Sequence, residues 1–211
     1  PSRFMGFWDP AHFVVGLNPD RTQRWTAVHG FLDFQLSALT TSRDGTTFIS
    51  GLVRRSVDFG SGPTGTPEDG ADLVFAAFSA QGANLWTNRL AEEGAGQVLS
   101  LGVDGQGRLL ATATLNGNRI TSSNVPSISN QAGGTLLAFD ELGVERLRRT
   151  WPVDSLWVGS RCEGGPILAG HMLFNPVDFG GGTLERAGEH DAFLVGLDDD
   201  GPSAASDLHG R

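Results

Sequence analysis

At 211 residues with 39% hydrophobic content, the chain can bury an extended core, so disorder is not its default state. Thirty glycines and ten prolines beside thirteen Phe and five Trp pair many turns with bulky core residues, which favours an all-β protein over a helical one. The formal net charge of −9 and the absence of a basic stripe speak against nucleic acid as a partner.

The first predicted element is a strand at residues 3–8 (RFMGFW), followed by strands at 12–18 (HFVVGLN) and 22–28. A hairpin follows, SALTTS at 37–42 and TTFISGLV at 46–53, closed by Arg43-Asp44-Gly45. After a long segment, 54–71, comes LVFAAFS at 73–79 and then a strand carrying Trp86. The same order returns: VLSLGV (98–103), the turn Asp104-Gly105-Gln106-Gly107, RLLATATL (108–115), a long segment 116–133, GTLLAFD (134–140), and a strand with Leu147. It returns once more as SLWVGS (155–160), Glu163-Gly164-Gly165, PILAGHML (166–173), a long segment 174–191, AFLVGLD (192–198), and a last strand at 203–209.

The pattern HFVVGLN, LVFAAFS, GTLLAFD, AFLVGLD ends at residues 18, 79, 140 and 198, so the repeat is about 60 residues long. Trp25, Trp86 and Leu147 each stand seven residues beyond that point and share one packing position. His29-Gly30 reappears as His209-Gly210 in the same register. Two hairpins joined by a long loop give four strands per repeat, the composition of a β-propeller blade. The expected fold is therefore an all-β propeller of four-stranded antiparallel blades: a partial blade at 1–30, then blades at 31–90, 91–151 and 152–211. Three whole blades plus part of a fourth leave sheet edges open, which reads as a stretch of a larger propeller or one closed by a partner copy. The start at Pro1, with no signal peptide, reads as an excised or processed chain.

Val177-Asp178-Phe179-Gly180-Gly181-Gly182-Thr183 followed by Asp191-Ala192-Phe193-Leu194-Val195-Gly196-Leu197-Asp198 resembles the repeat of secreted bacterial β-propeller proteins, with its VDFGGG-like loop and DAFLAKLD-like strand. Val57-Asp58-Phe59-Gly60-Ser61-Gly62 with Ala71-Asp72-Leu73-Val74-Phe75 is similar, as is Val103 to Leu110 for the hairpin. The segment 116–133 lacks the VDFG element, and the last strand lacks its Trp. The resemblance implies a propeller from an extracellular or cell-surface protein, with the periplasm as an alternative location.

Chemistry is harder to find. No G-x-S-x-G elbow occurs for a Ser-His-Asp triad, and no GxxxxGK cradle for phosphate. Cys162 is the single cysteine, so neither an intrachain disulfide nor a thiolate cluster is available. Arg146, Arg148 and Arg149 have no aromatic platform beside them and read as a solvated strand and turn. No apolar run reaches membrane-spanning length. No cofactor is expected; the alternative is calcium at Asp198-Asp199-Asp200-Gly201 or Asp104-Gly105-Gln106-Gly107, neither with EF-hand spacing.

Propeller geometry brings the long segments 54–71, 116–133 and 174–191 to one face, the default recognition surface. Its candidate binding residues are Asp58, Phe59, Glu68, Asp69, Arg119, Asn124, Asp178, Phe179, His190 and Asp191. Phe59 and Phe179 are expected to fold back onto their own blades rather than project as anchors. With no convergent catalytic set, the expected function is a non-catalytic binding or scaffold module recognising protein or glycan. A carbohydrate-active enzyme using loop carboxylates and a purely structural spacer are the alternatives.

Overall fold

The computed structural model describes residues 11–30, 34–67, 70–90, 96–115, 133–160, 165–172, 176–185, 188 and 191–197. The expected strands at 3–8 and 203–209, the segment 116–132, Cys162, and the Asp198-Asp199-Asp200-Gly201 turn lie outside them.

The described residues form β-structure without a helix. Strands β1 (Ala11–Leu17) and β2 (Gln23–Gly30) pair as an antiparallel hairpin. A four-stranded antiparallel meander follows, β3 (Phe34–Thr41), β4 (Thr47–Val53), β5 (Asp72–Phe78) and β6 (Asn84–Leu90). The second meander is β7 (Gln97–Val103), β8 (Leu109–Leu115), β9 (Gly133–Phe139) and β10 (Glu145–Trp151). The third has β11 (Ser155–Gly159), β12 (Ile167–Met172) and β15 (Asp191–Gly196); between the last two, β13 (Val177–Asp178) and β14 (Thr183–Leu184) form a small hairpin. The strands of the sheets stand close to the positions read from the sequence, whereas β13 and β14 fall inside the segment 174–191 that was expected to be a long loop. No closed ring or barrel of sheets forms among the described residues.

Successive sheets pack face to face, and alternation along each strand decides which neighbour a side chain meets. In β5, Val74, Ala76 and Phe78 face the β1–β2 hairpin and join Val14 in one core. Leu73, Phe75 and Ala77 face the opposite way and pack against Leu137 and Phe139 of β9. A third core lies between the β7–β10 sheet and the last one, where Leu136 and Ala138 meet Leu168, Phe193 and Val195. A strand sandwiched in this way is mostly apolar, and β5 and β9 are buried at every position, with Asp72 and Thr135 as their polar members. Phe75 and Phe139 meet with ring centroids 4.9 Å apart, and burial of each ring contributes about 2–3 kcal/mol.

The first strands β3, β7 and β11 pack against one another in succession. Close approach needs small groups there: Ser100 on β7 accepts a hydrogen bond from the Val158 amide of β11 at 2.8 Å, and its hydroxyl also meets Thr112 at 2.7 Å.

The tryptophan column locks outer strands to the next sheet. Trp25 lies flat over the β5–β6 turn, where a methyl group on Gly82 would stand 2.6 Å from its Cγ. Trp86 covers the β9–β10 turn in the same way, 2.6 Å from a methyl built on Gly143. Only glycine leaves room for the indole, and Gly143, at φ 76°, also needs the left-handed region.

Candidate functional site

Among the described residues, five hairpin turns share one hydrogen-bond pattern. The residue that opens each turn donates its amide to the carbonyl four residues on and accepts from the amide three residues on. Asn18, Ser42, Ser79, Asp104 and Asp140 occupy that opening position. The fourth residue of each turn has positive φ: Gly45, Gly82, Gly107 and Gly143, with Arg21 in the first.

The aspartates of these turns are committed locally. Asp104 accepts from the Gln106 and Arg108 amides, both at 2.9 Å, and from Arg108 Nε at 2.6 Å. The turn read in sequence as an alternative calcium loop thus directs both carboxylate oxygens inward to its own chain. Asp140 repeats the device with the Leu142 and Val144 amides and with Arg146 Nε at 2.7 Å. Burial pushes the Asp140 carboxyl up, but the Val144 amide, Arg146 and the Leu142 amide outweigh it and hold it below the usual carboxylate range. Asp44 is held low first by the Ser42 hydroxyl and then by the Thr46 amide.

The long-loop edge tells the same story. Asp58 Oδ1 accepts from Gly60 N at 2.7 Å and Gly62 N at 3.0 Å; Asp178 Oδ1 accepts from Gly180 N at 2.6 Å and Gly182 N at 3.2 Å. All four glycines have positive φ. The intervening phenylalanines are buried. Phe59 sits edge-on to Phe34 at 5.1 Å, and Phe179 lies 5.1 Å from Trp151 and 4.9 Å from Phe193. Each ring plugs the end of the cleft between its own sheet and the preceding one. Both are therefore core residues, and neither is an exposed contact of a binding surface. The VDFG element is a plug: the aspartate shapes a tight loop that drives the phenylalanine inward.

Of the remaining sequence candidates, Asp191 ends the last loop, its Oδ2 accepting from Gly188 N at 3.1 Å. Glu68, Asp69, Arg119, Asn124 and His190 lie outside the described residues. Asp58 and Asp178 are not brought together, because the β7–β10 sheet separates the sheets that carry their loops. Among the described residues no three or more His, Cys, Asp or Glu side chains group as metal ligands. No helix among them is long and apolar enough to cross a membrane. Two of the three neighbouring arginines are engaged with carboxylates: Arg146 with Asp140 at 2.6 Å and Arg148 with Glu145 at 2.8 Å.

The Asp104-Gly105-Gln106-Gly107 turn also forms part of a cavity wall. At the turn edge, opposite the long loops, a cavity of about 460 Å³ opens between the β3–β6 and β7–β10 sheets, lined by Arg43, Asp44, Leu85, Trp86, Gln106 and Glu141 among others. Its walls come from turns about 60 residues apart, so the spacing of the repeat was the one available signal. No protein-family model and no curated protein matches this sequence.

Proposed function

We propose that the successive sheets are blades of a β-propeller of the secreted bacterial repeat type, and that the chain is a non-catalytic binding or scaffold module of an extracellular or cell-surface protein. The observation that carries this reading is the local commitment of the recurring aspartates. Asp58, Asp104, Asp140 and Asp178 each hold the amides of their own loop or turn. A general acid or base must instead reach a substrate. Stacked sheets with repeated edges form a rigid frame on which loops of variable sequence present a surface to protein or glycan.

The test is a glycan array and a surface-protein panel, run beside hydrolysis and lyase assays on polysaccharides. Saturable binding without turnover is expected, weakened by Arg54→Ala with Ser61→Ala, substitutions of exposed residues in segment 54–67 that leave the buried Val57 and Phe59 in place. Turnover of any polysaccharide, abolished by a single carboxylate substitution, would overturn the reading and favour a carbohydrate-active enzyme.

A further inference from the structure

The turn edge is tied where the β1–β2 hairpin meets the β3–β6 sheet, and open where the β3–β6 and β7–β10 sheets meet. In the repeat register Trp25 and Trp86 share one position, so Arg24 corresponds to Leu85 and Ala80 to Glu141. Arg24 crosses to the next turn: its Nη1 donates to the Ala80 carbonyl at 3.4 Å, while its Nε donates to Asn18 Oδ1 at 2.8 Å. Leu85 has no group to donate, and it stands 53% exposed beside the cavity of about 460 Å³ that opens there. That volume lies within the range of roughly 300–1,000 Å³ that small-molecule sites occupy.

The lining offers two kinds of surface. Phe48, Leu85 and Trp86 supply apolar wall. Arg43, Gln106 and Glu141 supply polar rim, and none of their side chains makes a hydrogen bond or ion pair among the described residues. The other two carboxylates are spent: Asp44 accepts from the Thr46 amide and hydroxyl, and Asp104 from the Gln106 and Arg108 amides and from Arg108 Nε. A ligand therefore meets a guanidinium, an amide and a carboxylate, donors and acceptors together, with the two free charges opposite in sign. An anion would gain Arg43 but meet Glu141, and a cation would face the converse. An uncharged ring with an apolar C–H surface and a border of hydroxyls suits both kinds of wall. Each hydroxyl donates as well as accepts, so one can bond to the Glu141 carboxylate and another to Arg43 or Gln106.

We infer that this cavity is a binding site for an uncharged sugar, a mono- or disaccharide unit of a glycan, with Arg43, Gln106 and Glu141 on its hydroxyls and Phe48, Leu85 and Trp86 against its C–H surface. The site is separate from the long-loop surface of the proposed binding role and does not depend on what that surface recognises.

The experiment screens the whole chain against neutral mono- and disaccharides by ligand-observed NMR and titration calorimetry, with variants at both edges. Gln106→Ala with Glu141→Ala removes two of the three rim groups; both residues are exposed, so circular dichroism and the unfolding midpoint of this variant should match the parent. Leu85→Arg places in the open wedge the residue that ties the preceding one. Each of these changes is expected to weaken sugar binding about tenfold or more, the first by removing hydrogen bonds to the ligand and the second by filling its space. Arg54→Ala with Ser61→Ala, on the long-loop edge, should leave sugar affinity unchanged, and so should added salt, because the ligand carries no charge. A chain that binds none of the neutral sugars would overturn the inference, whatever the long-loop surface binds. Sugar binding that survives both turn-edge changes would overturn it too, and its loss in the long-loop variant would place the sugar on the surface of the proposed role instead. An affinity that falls about tenfold from low to high salt would mark a charged ligand and overturn the assignment.

Discussion

The β1–β2 hairpin and the β3–β6 sheet are built from the same repeat yet bury it differently. In β5 all seven positions are buried, whereas in β1 Val14 is buried and Phe13, Val15 and Leu17 beside it are exposed. The apolar content of HFVVGLN and LVFAAFS is alike. The difference lies in the neighbours: among the described residues β5 has a sheet on each face and β1 on one. The same alternation therefore buries an apolar row where a second sheet packs on the strand and leaves it exposed where, among the described residues, none does.

The strongest way to test that comparison is to truncate one ring on each strand. Phe75→Ala should destabilise by about 3–5 kcal/mol, because the surrounding sheets cannot collapse into the space beside Phe139. Phe13→Ala should change stability by no more than about 0.5 kcal/mol. Urea unfolding followed by tryptophan fluorescence reads both. Equal losses would mean that β1 is covered on both faces within a single chain.

The tryptophan locks offer a finer contrast. Trp86 is buried over Gly143, while Trp25 over Gly82 is partly exposed and has room to shift. Gly143→Ala adds a left-handed penalty to a direct clash, with an expected loss of about 2–4 kcal/mol. Gly82→Ala carries the same backbone penalty, but the indole can swing outward, so about 1–2 kcal/mol is expected. Should the two cost the same, the turn conformation alone sets the effect and the indoles contribute little.

Much of this was legible before any coordinates. Strand positions followed from alternation and from the Asp-Gly turns, because both are local. The inward fold of Phe59 and Phe179 was also readable, since an apolar ring between glycines in a polar loop gains most by rejoining the core. What was not legible depends on pairs of sheets. The turn-edge cavity is made by residues from two different repeats, and the exposure of Trp157 depends on what does not lie above it. Similarly, a sequence shows the carboxylates of Asp58 and Asp178 but not the glycine amides that each holds.

A smaller effect is expected from a mismatch between the two complete meanders. In the β7–β10 sheet Ser100 and Thr112 share a hydrogen bond. At the equivalent cross-strand pair of the β3–β6 sheet, Ala38 faces Ser50, whose hydroxyl is buried without a partner. Ala38→Ser should supply that partner and gain about 1 kcal/mol, read as a raised denaturation midpoint with an unchanged slope. A neutral or lower midpoint would mean that the added hydroxyl turns away, leaving two unmet groups in place of one.

The smallest expected change returns to the hairpin. Its turn places Arg21 at φ 68°, where the four equivalent turns place glycine. A side chain in the left-handed region costs about 1–2 kcal/mol, partly offset in a glycine replacement by the greater freedom of the unfolded chain. Arg21→Gly should therefore stabilise by about 0.5–1 kcal/mol. Because among the described residues β1–β2 packs against one sheet only, that gain should appear more clearly in amide hydrogen exchange of Val14 and Thr26 than in the global unfolding midpoint. Slowed exchange there with an unmoved midpoint would show that the hairpin opens separately from the stacked sheets; a matching rise in both would show that it unfolds with them.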